Sequence, residues 1–584
     1  MCAGGRTLAE PILSPDGHRL AFVDRVGGTA RVVVVPTGGG PELVVSADVA
    51  PAGRGGVVGW FPGGDRLAYA GGAGEVVVVA AAGGRPVVVW DGAAGAGRAT
   101  AVAVSPAGDE VAFVVDTREL TVVAAGGGPP RTVWAGADFV VDPAWSADGR
   151  RLAWHEWDVP AMPWDESRIL AAPSSGAGPA TVVAGGPGTS VQQPRFSPDG
   201  VHLAWLSDAS GWLNVVVAGA DGSSPRPLAP EPFEHGGPTW GAGQRSYAWS
   251  PDGAALAFER NEAGFGRLCV ARVAGGEVRE LSRGVHGSLS WAGERLACLR
   301  GGARTPTAVV AVDPATGACV TLARGPVGGF EAADLVEPAP VSWSAPDGAA
   351  VHGRLYRPHP GPGTPPLLLW AHGGPTDQRR VAFDPSVAYF VDRGWAVLVP
   401  DARGSTGWGR AWAQATRGRW GTVDVADLAA GLRAAADQGW GDPRRMVPVG
   451  TSAGGSAVLW LLAAHPELCA AGVASFPVTD PEALAATTHR YEAHYMTSLV
   501  GPATPIPLHL ADRIRGPLLL LHGSADDVVP APQSTALAAA IRRGGGVVEH
   551  HEYEGEGHGW RSPATAADAL ARADAFLDHH VGRL

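Results

Sequence analysis

Three side chains that can cooperate in acyl transfer follow one another in the second half of this 584-residue chain: Ser452, Asp526 and His558. Ser452 stands in Gly450-Thr451-Ser452-Ala453-Gly454, between the apolar run MVPVG (446–450) and the helix-forming stretch SAVLWLLAAHP (456–466). A serine on a strand-to-helix elbow is exposed for attack, and glycines two before and two after it let strand and helix approach closely. The helix N-terminus then favours negative charge developing beside the serine. Asp526 follows the apolar run PLLLLHG (517–523), where a carboxylate can orient a histidine and stabilise its cation. Its neighbour Asp527 is the rival for that role. His558, in YEGEGHGWR, lies between glycines on a loop after another expected strand, free to swing toward the serine. His550 and His551 are less suited, because they fall within the strand itself. LLLWAHGGPTDQ (367–378) adds glycines that can turn backbone N–H groups toward a substrate carbonyl. The N–H groups of Gly374 (or Gly373) and Ala453 are the candidate oxyanion donors.

The elements that must position these groups can also be read. PLLLWAH (366–372), WAVLVPD (395–401), MVPVG, AGVASF (471–476) and PLLLLHG read as buried parallel strands. Between them 425–439, 456–466 and 536–544 read as helices. Strands alternating with helices imply a parallel sheet covered on both faces, with the site at the strands' carboxyl ends. The order Ser, Asp, His is that of α/β-hydrolases.

The first half is built differently. Seven segments join a polar turn to a short apolar strand: LSPDGHRLAFV from Leu13, WFPGGDRLAYA from Trp60, VSPAGDEVAFV from Val104, WSADGRRLAWH from Trp145, FSPDGVHLAWL from Phe196, WSPDGAALAFE from Trp249 and SWAGERLACL from Ser290. Their starts lie roughly 40 to 55 residues apart, the length of a propeller blade. Such a unit cannot bury its own faces and is stable only against copies of itself. The expected architecture is a seven-bladed β-propeller over 1–330 and an α/β-hydrolase domain over 331–584. A β-sandwich or a solenoid could use the same turns.

Composition narrows the function further. The chain carries 57 acidic and 45 basic residues, all the latter arginine, for a net charge of −12 with no basic cluster. That is a poor match to a phosphate backbone, so nucleic acid is not an expected partner. No apolar run approaches the ~18 residues of a membrane span. The N-terminal stretch lacks the pattern of a signal peptide. Cys2, Cys269, Cys298, Cys319 and Cys469 show neither paired nor metal-ligand spacing, which suits a reducing compartment. A soluble, cytoplasmic protein is expected, using neither metal nor organic cofactor; whether it forms homo-oligomers is left open.

AHGGP (371–375), DARGSTGWG (401–409), GTSAGG (450–455), HGSADDVVP (522–530) and GEGHG (555–559) together resemble the prolyl oligopeptidase family, in its acylaminoacyl-peptidase and dipeptidyl-peptidase-like branches. The resemblance implies a propeller joined to a hydrolase domain and covering its active site. Short peptides or aminoacyl amides are then the implied substrates. His372 stands where other branches place an oxyanion-hole tyrosine, which points to backbone donors instead. WHEWDVPAMPWDE (154–166) and EPFEHGGPTW (231–240) are similar to segments of bacterial aminopeptidase-type and puromycin-hydrolysing members. By that analogy Glu156, Asp165 and Glu234 are candidates to bind a free substrate amino group. HRYEAHY (489–495) is a candidate pocket lining. An esterase, thioesterase or tailoring amidase would use the same chemistry, and a non-catalytic propeller binding protein is the rival of another class.

Overall fold

The computed structural model of the chain describes residues 6–26, 28–50, 56–92, 95, 97–325, 334–361, 363–502 and 504–582. These divide into two compact units, the seven four-stranded sheets in one and an eight-stranded sheet with its helices in the other. The boundary expected between 330 and 331 lies outside the described residues.

Seven antiparallel sheets, each with its strands in chain order, span 7–46, 58–90, 99–134, 139–186, 191–227, 247–283 and 285–324. Each expected turn-plus-strand copy begins a hairpin of one sheet, so the seven copies are the seven blades of a β-propeller. The turns repeat the same bonds. Ser14 Oγ donates to Asp16 Oδ1 at 2.5 Å while accepting from Arg19 N–H at 2.9 Å, and Ser146 and Ser250 do likewise with Asp148 and Asp252. Indoles tie neighbouring blades: Trp60, Trp145 and Trp249 donate through Nε1 to the carbonyls of Ile12, Ala103 and Arg195. The ring closes between first and last sheets, where Leu20, Phe22 and Val33 share one apolar cluster with Ala297, Val309 and Ala323. Leu13 N–H also donates to Ser290 Oγ at 3.0 Å. Each fully buried Leu or Phe in these seams contributes roughly 1.5–3 kcal/mol of transfer free energy.

In the second unit the strands are β1 (Ala339–Ser344), β2 (Ala350–Tyr356), β3 (Leu367–Ala371), β4 (Ala396–Asp401), β5 (Met446–Thr451), β6 (Gly472–Ser475), β7 (Leu518–Gly523) and β8 (Val548–Tyr553). Their order is β1-β2-β4-β3-β5-β6-β7-β8, parallel from β4 onward. β2 runs antiparallel to both neighbours, an addition to the parallel sheet expected from the sequence. The main helices are α1 (Pro385–Asp392), α2 (Val423–Asp437), α3 (Ala453–Ala464), α4 (Pro532–Arg543) and α5 (Pro563–His580). Every residue of β3, β4 and β7 is buried, as strands covered on both faces must be. Among the described residues no helix is long and apolar enough to cross a membrane.

The DARGSTGWG motif holds a buried charge network beneath the site. Arg354 on β2 grips Asp401 through both terminal nitrogens, and Asp401 Oδ2 also accepts from Gln378 Nε2 and Trp408 Nε1 at 2.9 Å each. Arg403 pairs with Asp427 of α2, Nη2 to Oδ1 at 2.6 Å. These ions are tolerable in the interior because each is paired and hydrogen-bonded. Gln378 links the network to the glycine loop after β3.

Candidate active site

Ser452 occupies the step from β5 into α3 with φ 53° and ψ −124°, a left-handed conformation that costs a non-glycine residue about 1–3 kcal/mol. The flanking glycines make the turn sterically possible. A Cβ on Gly450 would stand 2.2 Å from the Gly454 carbonyl oxygen, and one on Gly454 would stand 2.3 Å from that of Ala371. Ser452 N–H donates to the Ser475 carbonyl at 3.0 Å, which fixes the elbow against the end of β6.

His558 and Asp526 meet after β8 and β7. His558 Nδ1 lies 2.7 Å from Asp526 Oδ2, and Oδ1 of the same carboxylate accepts from the N–H groups of Val528 and Val529 at 2.9 Å each. Asp526 is buried whereas Asp527 is exposed. Burial alone would raise the Asp526 pKa; hydrogen bonds from His522 and His558 and the charge of His558 hold it well below the usual carboxylate range instead. The two loops are packed without space between them. Ala525 N–H donates to the Glu556 carbonyl at 2.8 Å, and a Cβ on Gly523 would stand 2.4 Å from that oxygen. Beyond the histidine, Glu556 accepts from Arg561 N–H and Ser562 N–H.

His522 is a participant that sequence reasoning passed over. Fully buried, it accepts from Ser534 Oγ at Nδ1, donates from Nε2 to the Val529 carbonyl at 2.8 Å, and keeps Nε2 3.4 Å from Asp526 Oδ2. Its position inside the HGSADD run was the available signal. Phe476 connects the two halves of the site. It follows Ser475, the acceptor of the Ser452 N–H, and its ring centroid lies 4.6 Å from that of His558.

The glycine loop after β3 reaches the same place. A Cβ on Gly373 would stand 3.4 Å from Ser452 Cβ. His372 lies 2.7 Å through Nδ1 from the Gly373 carbonyl and 2.8 Å through Nε2 from Ser405 Oγ. Across the planar trans peptide, a carbonyl drawn toward the imidazole turns the Gly374 N–H the opposite way. Ala453 is the first residue of α3, so its N–H has no carbonyl one turn back within the helix. The loop is fastened from outside by Tyr495, whose Oη accepts from Thr376 N–H at 2.9 Å and donates to Thr376 Oγ1 at 2.6 Å.

The propeller carboxylates sit differently. Glu156 is 2 % exposed and accepts from Trp134 Nε1 at 2.7 Å and Trp154 Nε1 at 2.9 Å, with Arg168 at 3.0 Å. Asp165 is buried and accepts from Met162 N–H at 3.3 Å. Glu234 is buried in a bridge with Asn261. Among the described residues no group of three His, Cys, Asp or Glu side chains is disposed to hold a metal ion.

Residues 381–583 match the model of the prolyl oligopeptidase family, and 74–240 match that of the lipoprotein LpqB β-propeller domain. The solved structure of a Mycobacterium tuberculosis puromycin-hydrolysing peptidase superposes with a TM-score of 0.89 at 28 % identity, covering 99 % of this chain and 95 % of that one. Dipeptidyl aminopeptidase BIII of Pseudoxanthomonas mexicana is 29 % identical over 37 % of this chain and 33 % of its own length. The acylamino-acid-releasing enzyme of Arabidopsis thaliana is 26 % identical over 34 % of this chain and 28 % of its own. The matching part thus spans about a third of these curated relatives.

Proposed function

We propose that this chain, whose residues 381–583 match the prolyl oligopeptidase family, is a serine peptidase cleaving short peptides or aminoacyl amides near a free N-terminus. The observation that carries the reading is the 2.7 Å contact of His558 Nδ1 with a buried Asp526, reached from the Ser452 elbow through Ser475 and Phe476.

The chemistry follows from that contact. Because Asp526 stays ionised, Nδ1 of His558 keeps its proton and Nε2 is left as the base. Ser452 Oγ attacks the scissile carbonyl carbon while Nε2 takes its proton. The carbonyl oxygen, now negative, is stabilised by the N–H groups of Gly374 and Ala453, each such donor being worth about 3–4 kcal/mol. Collapse of the intermediate breaks the C–N bond, and the imidazolium returns its proton to the departing amine. Water, deprotonated by the same nitrogen, then releases the acyl group from Ser452.

A cavity of about 600 Å³ lies between α1, α5 and the sheet, lined by Trp370, Phe390, Phe476, Leu521 and Trp560. Its aromatic walls, with Phe476 shared with His558, support an apolar group on the substrate. Recognition of the substrate amino group by Glu156, Asp165 and Glu234 has the least support, since all three are buried and Glu156 is already bonded to two indoles and a guanidinium.

The deciding experiment is reaction with a fluorophosphonate followed by peptide mapping, alongside hydrolysis of aminoacyl p-nitroanilides. Modification at Ser452 with loss of amidase activity is expected, as is a fall of roughly 10⁶-fold in kcat for Ser452→Ala. An unmodified serine together with no amidase activity would return the protein to the non-catalytic class, and full activity in that variant would take the nucleophile's role from Ser452. Faster turnover of simple esters than of any amide would favour the esterase reading.

A further inference from the structure

One carboxylate beside the proposed triad has no part in the chemistry above. Glu492 lies between two short helices, Pro481–Thr487 and Tyr495–Leu499, in a turn closed by Glu492 N–H to the His489 carbonyl at 3.0 Å and Tyr495 N–H to the Glu492 carbonyl at 2.9 Å. The turn is anchored three residues on, where Tyr495 holds Thr376, two positions past Gly374. The Glu492 side chain is 18 % exposed, with His489 Nε2 3.6 Å away. The other charges acting on it are His558, which favours its ionised form, and Asp526, which opposes it; burial pushes its carboxyl up.

We propose that Glu492 is the anchor for the free α-ammonium group of the substrate, and so selects unblocked aminoacyl substrates. This deepens the peptidase reading and rests on it. Covalent geometry supplies the argument. In an aminoacyl amide the α-nitrogen is about 2.5 Å from the scissile carbonyl carbon. A charge-assisted bond adds about 2.8 Å. The anchoring oxygen therefore lies within about 5 Å of that carbon, and the carbon itself is about 3 Å from the attacking Oγ. A carboxylate near the triad is required for this. Asp526 is engaged by His558, and Asp377 accepts from Gln378 N–H at 2.7 Å and faces His372. Glu492, whose charge and that of His558 act on each other, has the imidazole of an exposed His489 as its neighbour.

The test compares kcat/KM for an aminoacyl p-nitroanilide with that for its N-acetyl derivative. In the wild-type protein the free amine is the better substrate, and its kcat/KM falls above the ammonium pKa of about 8. In Glu492→Gln the ratio of free to acetylated drops roughly 100-fold, mainly through KM, and the alkaline fall attributable to the ammonium disappears. Labelling of the variant by fluorophosphonate verifies an assembled site. Should that variant not fold, Glu492→Asp retains the charge one methylene back and gives an intermediate ratio. A ratio within threefold of wild type in either variant, or a wild-type preference for the acetylated substrate, overturns the proposal. Failure of the wild-type protein to label at Ser452 overturns the underlying peptidase reading instead, so the two failures are distinguishable.

Discussion

Replacing Asp526 with asparagine leaves the size and shape of the side chain nearly unchanged but exchanges a carboxylate oxygen for an amide. Oδ1 of Asp526 accepts two backbone N–H groups, from Val528 and Val529, and Oδ2 meets His558 Nδ1 at 2.7 Å. The asparagine oxygen must keep the two backbone donors, because an unsatisfied buried N–H costs about 1–3 kcal/mol. The amide NH₂ is then directed at His558 Nδ1. Two donors cannot face each other, so the imidazole adopts the tautomer with its proton on Nε2, where it can no longer act as base. The expected loss in kcat is about 10⁴-fold, some 5.4 kcal/mol of transition-state stabilisation, with KM changed little. Steady-state hydrolysis of an aminoacyl p-nitroanilide, normalised to fluorophosphonate-titrated sites, measures it. Asp527→Asn is the matched control and stays within threefold of wild type, since Asp527 is exposed. More than a tenth of wild-type kcat in Asp526→Asn would refute the tautomer argument. The low pKa of Asp526 adds a pH statement. Its folded value lies below the unfolded one near 3.9, so the stability it contributes is complete above that pH and is lost as pH falls through the folded value. Any acid limb in activity at higher pH then belongs to another group.

Three further outcomes follow from the packing. Gly454→Ala places a Cβ 2.3 Å from the Ala371 oxygen and 2.6 Å from that of His372, forcing α3 away from β3; a drop in Tm and loss of Ser452 labelling are expected. Arg354→Met leaves Asp401 charged and buried without its guanidinium, at a cost of about 3–5 kcal/mol measurable as a shift in urea midpoint. In α2, burial raises the pKa of Asp424 to about 7, although Gly421 N–H donates to it at 2.8 Å. A folded pKa above the unfolded one means stability present below about pH 4 and lost as pH rises to about 7, at most about 4 kcal/mol. Asp424→Asn should therefore shrink the difference in urea midpoint between pH 5 and pH 8, and an unchanged difference would show that Asp424 titrates normally.

The reading of the sequence reached furthest where the determinants are local. The seven polar turns, three of them Ser-Pro-Asp-Gly, declare themselves because a turn is specified by four neighbouring residues, and the short apolar run that follows, Leu-Ala-Phe or Leu-Ala-Trp in four copies, marks a buried strand. The elbow around Ser452 is legible for the same reason: its glycines sit two positions away in either direction. Asp526 could be ranked above Asp527 from the chain alone, but that Asp526 is the one enclosed by Val528, Val529, His522 and His558 is visible only in the fold. Strands β1 and β2 and helices α1 and α5 went unnamed, their apolar patterns being weak until a sheet existed for them to cover.

The chain alone therefore determined the architecture and singled out the serine proposed as nucleophile, since turn chemistry and apolar periodicity act over a few residues. Tertiary structure decided the surroundings. It buried Glu156 among two indoles and Arg168, a residue that the family resemblance had offered as a candidate to bind a substrate amino group. It brought Tyr495 to Thr376 across 119 positions. Whether a carboxylate is spent on an internal partner or left for a substrate depends on which distant side chains share its volume, and that is a property of packing rather than of spacing along the chain.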